Sequence, residues 1–282
     1  MLAGKIGYFR ATAHPEALAW QARVVANNGS VSASTLAAVS AFCRSIDAAG
    51  LRDRFYRLNL FCGTGLTAAV VPLYRGQSFT GTQYGNTTDT NVNFVSGDYA
   101  ETGVNGGLLG NGTTKYLNTG FVPNVITFGN AHVAGYVRLA ATNAFAGIVS
   151  SYVPNGDELS LCNTQGAANA TWFFAEENTV TGYAQGAVNA ATGFLAGAST
   201  STTDRRCYRN GSQSGSTVTN ALTRSSYGAR ELWVFARNTT AGTFPHNGRI
   251  AGYSFGGGMT SSQMAAYNTA MQAFQAALTR TV

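Results

Sequence analysis

From Gly97 to Phe255, short apolar runs recur between clusters of Gly, Asn and Thr. Val133, Gly135 and Val137 alternate with His132, Tyr136 and Arg138. Leu232, Val234 and Ala236 alternate in the same way with Glu231, Trp233, Phe235 and Arg237. A two-residue period is that of a pleated strand, whose successive side chains point to opposite faces of a sheet. Asn-Gly pairs beginning at Asn105, Asn111, Asn155, Asn210 and Asn247 fall between such runs. Both residues tolerate the positive φ of tight hairpin turns. The pattern predicts strands near Tyr116–Asn118, His132–Leu139, Gly147–Val153, Glu158–Asn163, Thr171–Glu176, Gly193–Ala198, Arg205–Arg209, Glu231–Arg237 and Arg249–Phe255. Many short strands with turns between them specify an all-β sandwich or barrel.

Both ends of the chain change period. Pro15 suits the first turn of a helix, where its missing N–H costs nothing, and Leu18, Ala22 and Val25 share one face of it. Asn27-Asn28-Gly29 stops that helix, and Ser32 or Ser34 can cap the next. There Leu36, Val39, Phe42, Cys43 and Ile46 form one apolar stripe that Gly50 terminates. Residues 15–50 are therefore a predicted helical hairpin. At the other end Thr260 and Gln263 fit a capping box. Met264, Tyr267, Met271, Phe274 and Leu278 follow as a single apolar seam. That last helix has two readings, one docked on the sandwich or the hairpin and one facing another subunit. Between hairpin and strands, Leu66–Tyr74 is apolar, with Pro72 arguing against a long helix, and 75–97 is polar and without period. A connection of that length is usually a functional loop or an arm on a partner. The resulting division is 1–62 as an arm and helical docking region, 63–96 as a connecting segment, and 97–282 as the sandwich with its terminal helix.

Composition narrows the chemistry. Only 11% of the residues are charged, so the surface is kept wet by Gly, Thr, Asn and Ser. The net charge of +6 is carried by Arg, since Lys5 and Lys115 are the only lysines. Arg offers a planar fork for interfaces, nucleic acid or acidic glycans, although a genome rich in G and C would favour it with no function implied. The arginines are scattered apart from Arg44, Arg52, Arg54 and Arg57, which Asp47 and Asp53 partly offset. No ladder of aromatic and basic residues accompanies them, so no nucleic-acid partner is expected. Cys43, Cys62, Cys162 and Cys207 lie far apart without a Cys-x-x-Cys pair, which points to free buried thiols over a metal site and leaves one or two bridges open. Met1–Arg10 lacks the apolar core of a signal peptide, and no run approaches a membrane span. Synthesis in a cytoplasm and no membrane partner are the expectations.

Particular residues then carry a resemblance. The segment 103–120, GVNGGLLGNGTTKYLNTG, resembles the opening strands of laminin-G-like, concanavalin-A-like jelly-roll domains. Cys207-Tyr-Arg-Asn-Gly211 is similar to a strand and hairpin of such domains. Arg249-Ile-Ala-Gly-Tyr-Ser-Phe255, with the Thr-Ser-Ser-Gln helix start, resembles the closing strand and C-terminal helix of versions encoded by tailed bacteriophages. The helical preface around Leu51–Phe61 adds to that likeness, which covers about residues 97–280 at the level of fold. It implies a mainly β, two-sheet antiparallel jelly-roll sandwich used for adhesion, glycan binding or particle building.

Some relatives in that fold are glycosidases with paired carboxylates along one strand. The acidic doublets here, Asp157-Glu158 and Glu176-Glu177, are strand neighbours that point to opposite faces, so hydrolysis is not expected. Asp89-Thr-Asn-Val-Asn93 spaces oxygen ligands as calcium loops do, but Phe94 replaces the following glycine and Ala100 holds the twelfth position. It is better read as a polar loop, and no cofactor or metal is expected. His14, His132 and His246 are isolated from one another. Trp20, Trp172 and Trp233 lie in apolar periodic runs and are expected in the core, leaving the loop tyrosines Tyr84 and Tyr183 as ligand contacts beside Asp89, Asn91 and Asn93. The expected interface comprises Arg44, Arg52, Arg54, Arg57, Met264, Tyr267, Met271 and Phe274. The sequence thus points to a non-enzymatic structural or decorating component of a phage virion. It would be multicopy, with other virion proteins as partners. The alternative is a carbohydrate-binding receptor-recognition module of a tail fibre or tail tip, with a surface glycan as partner.

Overall fold

The structure, a computed structural model, describes residues 12–152, 158–163, 170–175, 183–187, 191–239 and 244–282. Its helices are α1 (Pro15–Ala26), α2 (Ala33–Ala48), the single turn α3 (Leu66–Ala69) and α4 (Ser261–Ala277). In chain order the first strands are β1 (Phe55–Asn59), β2 (Thr90–Val92), β3 (Tyr99–Ala100), β4 (Gly107–Leu109) and β5 (Tyr116–Asn118). Then come β6 (Ala131–Leu139), β7 (Ala146–Ser151), β8 (Leu159–Asn163), β9 (Thr171–Phe174) and β10 (Tyr183–Gln185). The last are β11 (Gly193–Ser201), β12 (Asp204–Arg209), β13 (Ser212–Val218), β14 (Trp233–Val234) and β15 (Arg249–Gly257).

Local chemistry explains the starts and stops. The His14 side chain accepts from the Glu16 N–H and caps α1, while Ser32, not Ser34, accepts from Thr35 N–H at 3.0 Å to cap α2. Thr260 and Gln263 bond each other's backbone N–H as a reciprocal box at the start of α4. Asn210 and Gly211, at φ +48° and +80°, make the tight turn between β12 and β13. Asn155 lies outside the described residues.

Among the described residues the strands form two antiparallel sheets. One has eight strands in the order β13-β12-β11-β6-β15-β4-β3, with β1 added alongside β15. The other has seven, in the order β10-β9-β8-β7-β14-β5-β2. Val133, Leu195, Phe255 and Ile250 from the first meet Leu117, Val149, Leu161, Phe173 and Val234 from the second in one core. Close approach of the sheets depends on glycine. A Cβ on Gly197 would stand 2.1 Å from the Phe173 ring, so that ring packs where no side chain is present.

The outer face of the eight-stranded sheet carries a helix layer. Ala134, Tyr136, Phe194, Ala196 and Tyr208 pack in one cluster with Trp20, Val39, Phe42, Ile46, Met264, Tyr267 and Phe274. The Tyr267 ring sits edge-on to Phe55 and to Phe194, at 4.9 Å from each. This corrects the intersubunit reading of α4. Met264, Tyr267, Met271 and Phe274 are at most 2% exposed, because their seam faces this chain's own sheet and hairpin.

Two further expectations change. The predicted strand over Glu231–Arg237 shrinks to Trp233–Val234, since Phe235 adopts φ +72° and leaves the pleat. The segment before residue 97 is part of the sandwich, with β1 in one sheet and β2 in the other. Arg57 on β1 is fully buried, and it draws the polar 75–97 segment inward. Its guanidinium donates to Asp89 Oδ1 at 2.7 Å and to the carbonyls of Tyr84 and Asn86 at 3.2 and 3.0 Å. Tyr253 Oη and the Asn59 amide complete the ring of bonds on Asp89, at 2.8 Å each. Arg57 is thus interior, not an interface residue.

The rest of that basic cluster is spread over the hairpin. Arg52 pairs with Glu16 and lies 3.9 Å over the Tyr74 ring. Arg54 lies beside Asp53, and exposed Arg44 donates to the Thr12 carbonyl. All four cysteines are buried and unbridged. Burial pushes the thiols of Cys43, Cys162 and Cys207 up to about 12, so none is a nucleophile at neutral pH. No helix among the described residues is long and apolar enough to cross a membrane.

Candidate functional site

The outer face of the seven-stranded sheet is where side chains meet solvent. Pairing across its strands sets Tyr183, Phe174, Ser160, Ser150, Trp233, Asn118 and Thr90 in one row. The first six alternate along their strands with the inter-sheet core residues Ala184, Phe173, Leu161, Val149, Val234 and Leu117, so they point outward, and Thr90 joins them by its pairing with Asn118. Coverage divides this row. Ser150 and Ser160 are fully buried, whereas Trp233 and Asn118 are half-buried and Thr90 is exposed.

At the open end Tyr116 and Trp233 lie face to face, with centroids 4.1 Å apart and planes 13° from parallel. Each ring fixes the orientation of the other. Beside them a cleft of about 270 Å³ is lined by Val92, Asn93, Thr113, Thr114, Lys115, Tyr116, Ala236 and Pro245. The turn that forms its wall is rigid, because Asn111 Oδ1 accepts the N–H groups of Thr113, Thr114 and Lys115 at 2.9–3.1 Å. Asn93, at φ +65°, donates to the Thr114 carbonyl from the opposite wall. Lys115 Nζ is held 2.6 Å from Asp98, and the Asn118 amide 2.6 Å from Glu231. Flat apolar rings with fixed amide, hydroxyl and ammonium groups at their edge suit a small polyhydroxylated ligand. In such a complex the rings would take its C–H face and the rim its hydroxyls.

The covered end of the row has a different character. Trp172, Phe174 and Tyr183 cluster with Phe145, and Tyr183 lies 4.6 Å from Trp172. Arg237 is buried here among the rings of Tyr152, Phe244 and Phe174, at 4.2, 5.1 and 5.2 Å, and pairs with buried Glu158. A buried pair of this kind is structural, since removing either partner strands a charge. Asp157, Glu176 and Glu177 lie outside the described residues.

The expected ligand residues separate accordingly. Asn93 lies in the cleft and Tyr183 at the covered end of the same sheet face. Asp89 is corrected from a ligand contact to the interior partner of Arg57. Asn91 folds back on Phe94, accepting its N–H and donating to its carbonyl at 3.0 and 2.9 Å, so the oxygens of the calcium-like run serve separate partners. Tyr84 packs half-buried on Tyr56 and Phe121. Trp20 is in the core as expected, but Trp233 is not. Sequence reasoning misses both rings of the pair, expecting Trp233 in the core and passing over Tyr116. Their signal was present in the period of each strand, where both alternate with the core residues Leu117 and Val234.

The described histidines are held apart. His132 Nδ1 donates to the Gly257 carbonyl and Nε2 accepts from Ser254, whose hydroxyl oxygen also accepts a hydrogen bond from the Tyr267 hydroxyl. Burial lowers His132 to about 4 and His246 to about 3, so both are neutral at pH 7. His14 lies near the surface beside Asp47 at 2.9 Å. Among the described residues no three His, Cys, Asp or Glu side chains gather as a metal would require.

No family model and no curated protein matches the chain. Among solved structures it is similar to domain 4 of AbnA, a GH43 extracellular arabinanase from Geobacillus stearothermophilus, in complex with arabinotriose. That match has 18% identity and a TM-score of 0.40 over 57% of this chain and 75% of that one. It is also similar to the CBM40 of the Ruminococcus gnavus IT-sialidase, at 11% identity and a TM-score of 0.37, over 50% and 83%. The botulinum neurotoxin serotype D binding domain is similar at 11% identity and a TM-score of 0.49, over 77% of this chain and 52% of that one.

Proposed function

We propose that the chain is a non-catalytic carbohydrate-recognition module that holds a sugar on the open end of the seven-stranded sheet. The observation that carries this reading is the stacked Tyr116–Trp233 pair, half-buried on an outward sheet face beside the cleft lined by Asn93, Thr113, Thr114 and Lys115. The pair supplies a rigid apolar surface at little entropic cost, and the rim supplies donors and acceptors of fixed direction. The cleft has room for about one monosaccharide unit, so recognition of a longer glycan would extend along the sheet toward Asn118 and Thr90. A glycan array with wild type and Trp233→Ala tests this. Wild type is expected to bind a restricted set of glycans, and the variant to lose about tenfold in affinity, the scale of one aromatic contact. Correctly folded wild type that binds no glycan would sink the proposal.

For the biological setting we carry forward a tailed-phage particle, supported by the sequence resemblance at the two ends of the chain and by the low charge. Burial of the α4 seam and of Arg57 takes five of the eight residues expected at a docking interface out of reach, which supports recognition over assembly, while Arg44, Arg52 and Arg54 stay at the surface of the hairpin. Immunogold microscopy of particles from the source, with antibody to the sandwich, tests the setting. Label at tail or fibre tips is expected, and unlabelled particles from cells that express the protein would rule it out.

A further inference from the structure

The C-terminal turn of α1 faces the 84–89 loop across a second cleft of about 210 Å³, lined by Arg23, Ala26, Asn27, Thr87 and Thr88. Arg23 commits Nη2 to the carbonyls of Pro72 and Leu73, at 3.1 and 2.9 Å. Its Nε is buried and has no partner. Arg75 holds the same loop through the Gly85 carbonyl at 3.0 Å, and its Nε is likewise buried without a partner. The acids in this region are already taken, Glu16 by Arg52 and Asp89 by Arg57. Two guanidinium groups therefore stand here with no carboxylate of their own among the described residues.

With both Nη2 hydrogens spent on carbonyls, Arg23 keeps three N–H groups, on Nε and Nη1, for one edge of a planar or tetrahedral oxyanion, and a charge-assisted bond to one is about twice as strong as a neutral bond. We infer that this cleft binds an oxyanion, with Arg23 as its charged anchor and the Thr87 and Thr88 hydroxyls donating at its rim. Burial, then repulsion from Arg75, lowers Arg23 to about 10, while burial and repulsion from Arg57 lower Arg75. A bound anion would relieve that repulsion. Thr90, two residues beyond Thr88, lies on the outward row with Trp233, so one short segment joins this cleft to the aromatic platform. The oxyanion site nevertheless stands on its own residues and does not need the platform.

Arg23 also lies in the last turn of α1, where a cation offsets the helix dipole. The experiment must separate that role from binding. Calorimetric titration with sodium sulfate and with sodium glucuronate, at constant ionic strength, is made on wild type, Arg23→Lys, Thr88→Val and Trp233→Ala. The lysine keeps the charge that the helix needs but removes the fork. Saturable binding by wild type is expected, weakened about tenfold in Arg23→Lys and about threefold in Thr88→Val, with unfolding temperature little changed. Trp233→Ala should bind the anion as wild type does, which distinguishes failure of this site from failure of the sugar platform. Tighter glucuronate would assign an acidic saccharide, and tighter sulfate a free or ester-linked tetrahedral anion. No saturable binding of either anion, or binding that both Arg23→Lys and Thr88→Val leave untouched, would overturn the inference.

Discussion

On the eight-stranded sheet, Tyr136, Phe194 and Tyr208 point outward and are covered by α2 and α4. On the seven-stranded sheet, Tyr116 and Trp233 point outward and meet solvent at one end of the face, while Phe174 is packed against Phe145 and Arg237 at the other. Residues of the same class thus do opposite work on the two faces. The helix layer turns aromatic area into burial, which stabilises at about 25 cal/mol per Å² removed from water. The open end of the other sheet forgoes that burial and keeps its rings available. The proposed recognition surface lies where the fold leaves stabilising contacts unmade, and the opposite face supplies the stability that permits it.

The most forceful way to break this comparison is Phe274→Ala. Under the helix layer it should cost about 3–5 kcal/mol, measured by urea unfolding, with glycan affinity of the folded fraction unchanged. A loss of affinity without a loss of stability would reverse the roles assigned to the two faces.

Acid comes next, because each side of the sandwich holds one buried neutral histidine, His132 beneath α4 and His246 against Phe235. Both folded values lie below the unfolded value of 6.5, so their stabilisation is complete above that pH and is lost as pH falls toward about 4 for His132 and about 3 for His246. At pH 5 each should have cost about 2 kcal/mol. Urea unfolding at pH 7 and pH 5 measures the sum, and equal stability at the two would refute buried neutral imidazoles. The smallest effect sharpens the picture at one helix end. Thr260→Ala removes the cap of α4 and should cost about 1 kcal/mol, seen as a lower thermal midpoint with binding intact.

Much of this was visible in the sequence because it is written locally. The Pro15 and Ser32 starts, the Thr260–Gln263 box and the Asn210-Gly211 turn each depend on residues within a few positions of one another. Nine of the strands were placed from their two-residue period, although β14 is shorter than its alternation suggests. What stayed hidden is non-local. Asp89 was assigned to a surface loop because charge usually seeks water, yet its partners Arg57 and Tyr253 lie 32 and 164 positions away. The α4 seam showed that Met264, Tyr267, Met271 and Phe274 would be buried but not against what. Trp233 was misplaced for a related reason. Period 2 separates the two faces of a strand without saying which one is covered, and coverage of this sheet changes from β7 to β5 along a single row.

The arginines that dominate the chain's positive charge hold it together mainly through main-chain oxygens. Arg280, fully buried, donates to the carbonyls of Leu60, Phe61 and Ala251, Arg205 to those of Thr202 and Asn220, and Arg57 to those of Tyr84 and Asn86. Every residue type presents the same carbonyl. A loop anchored in this way can change its side chains without losing its anchor, so Thr87 and Thr88, beside the carbonyls that Arg57 and Arg75 hold, can vary while the frame beneath stays constant. If the chain recognises a target as proposed, its rim can change while its frame is kept.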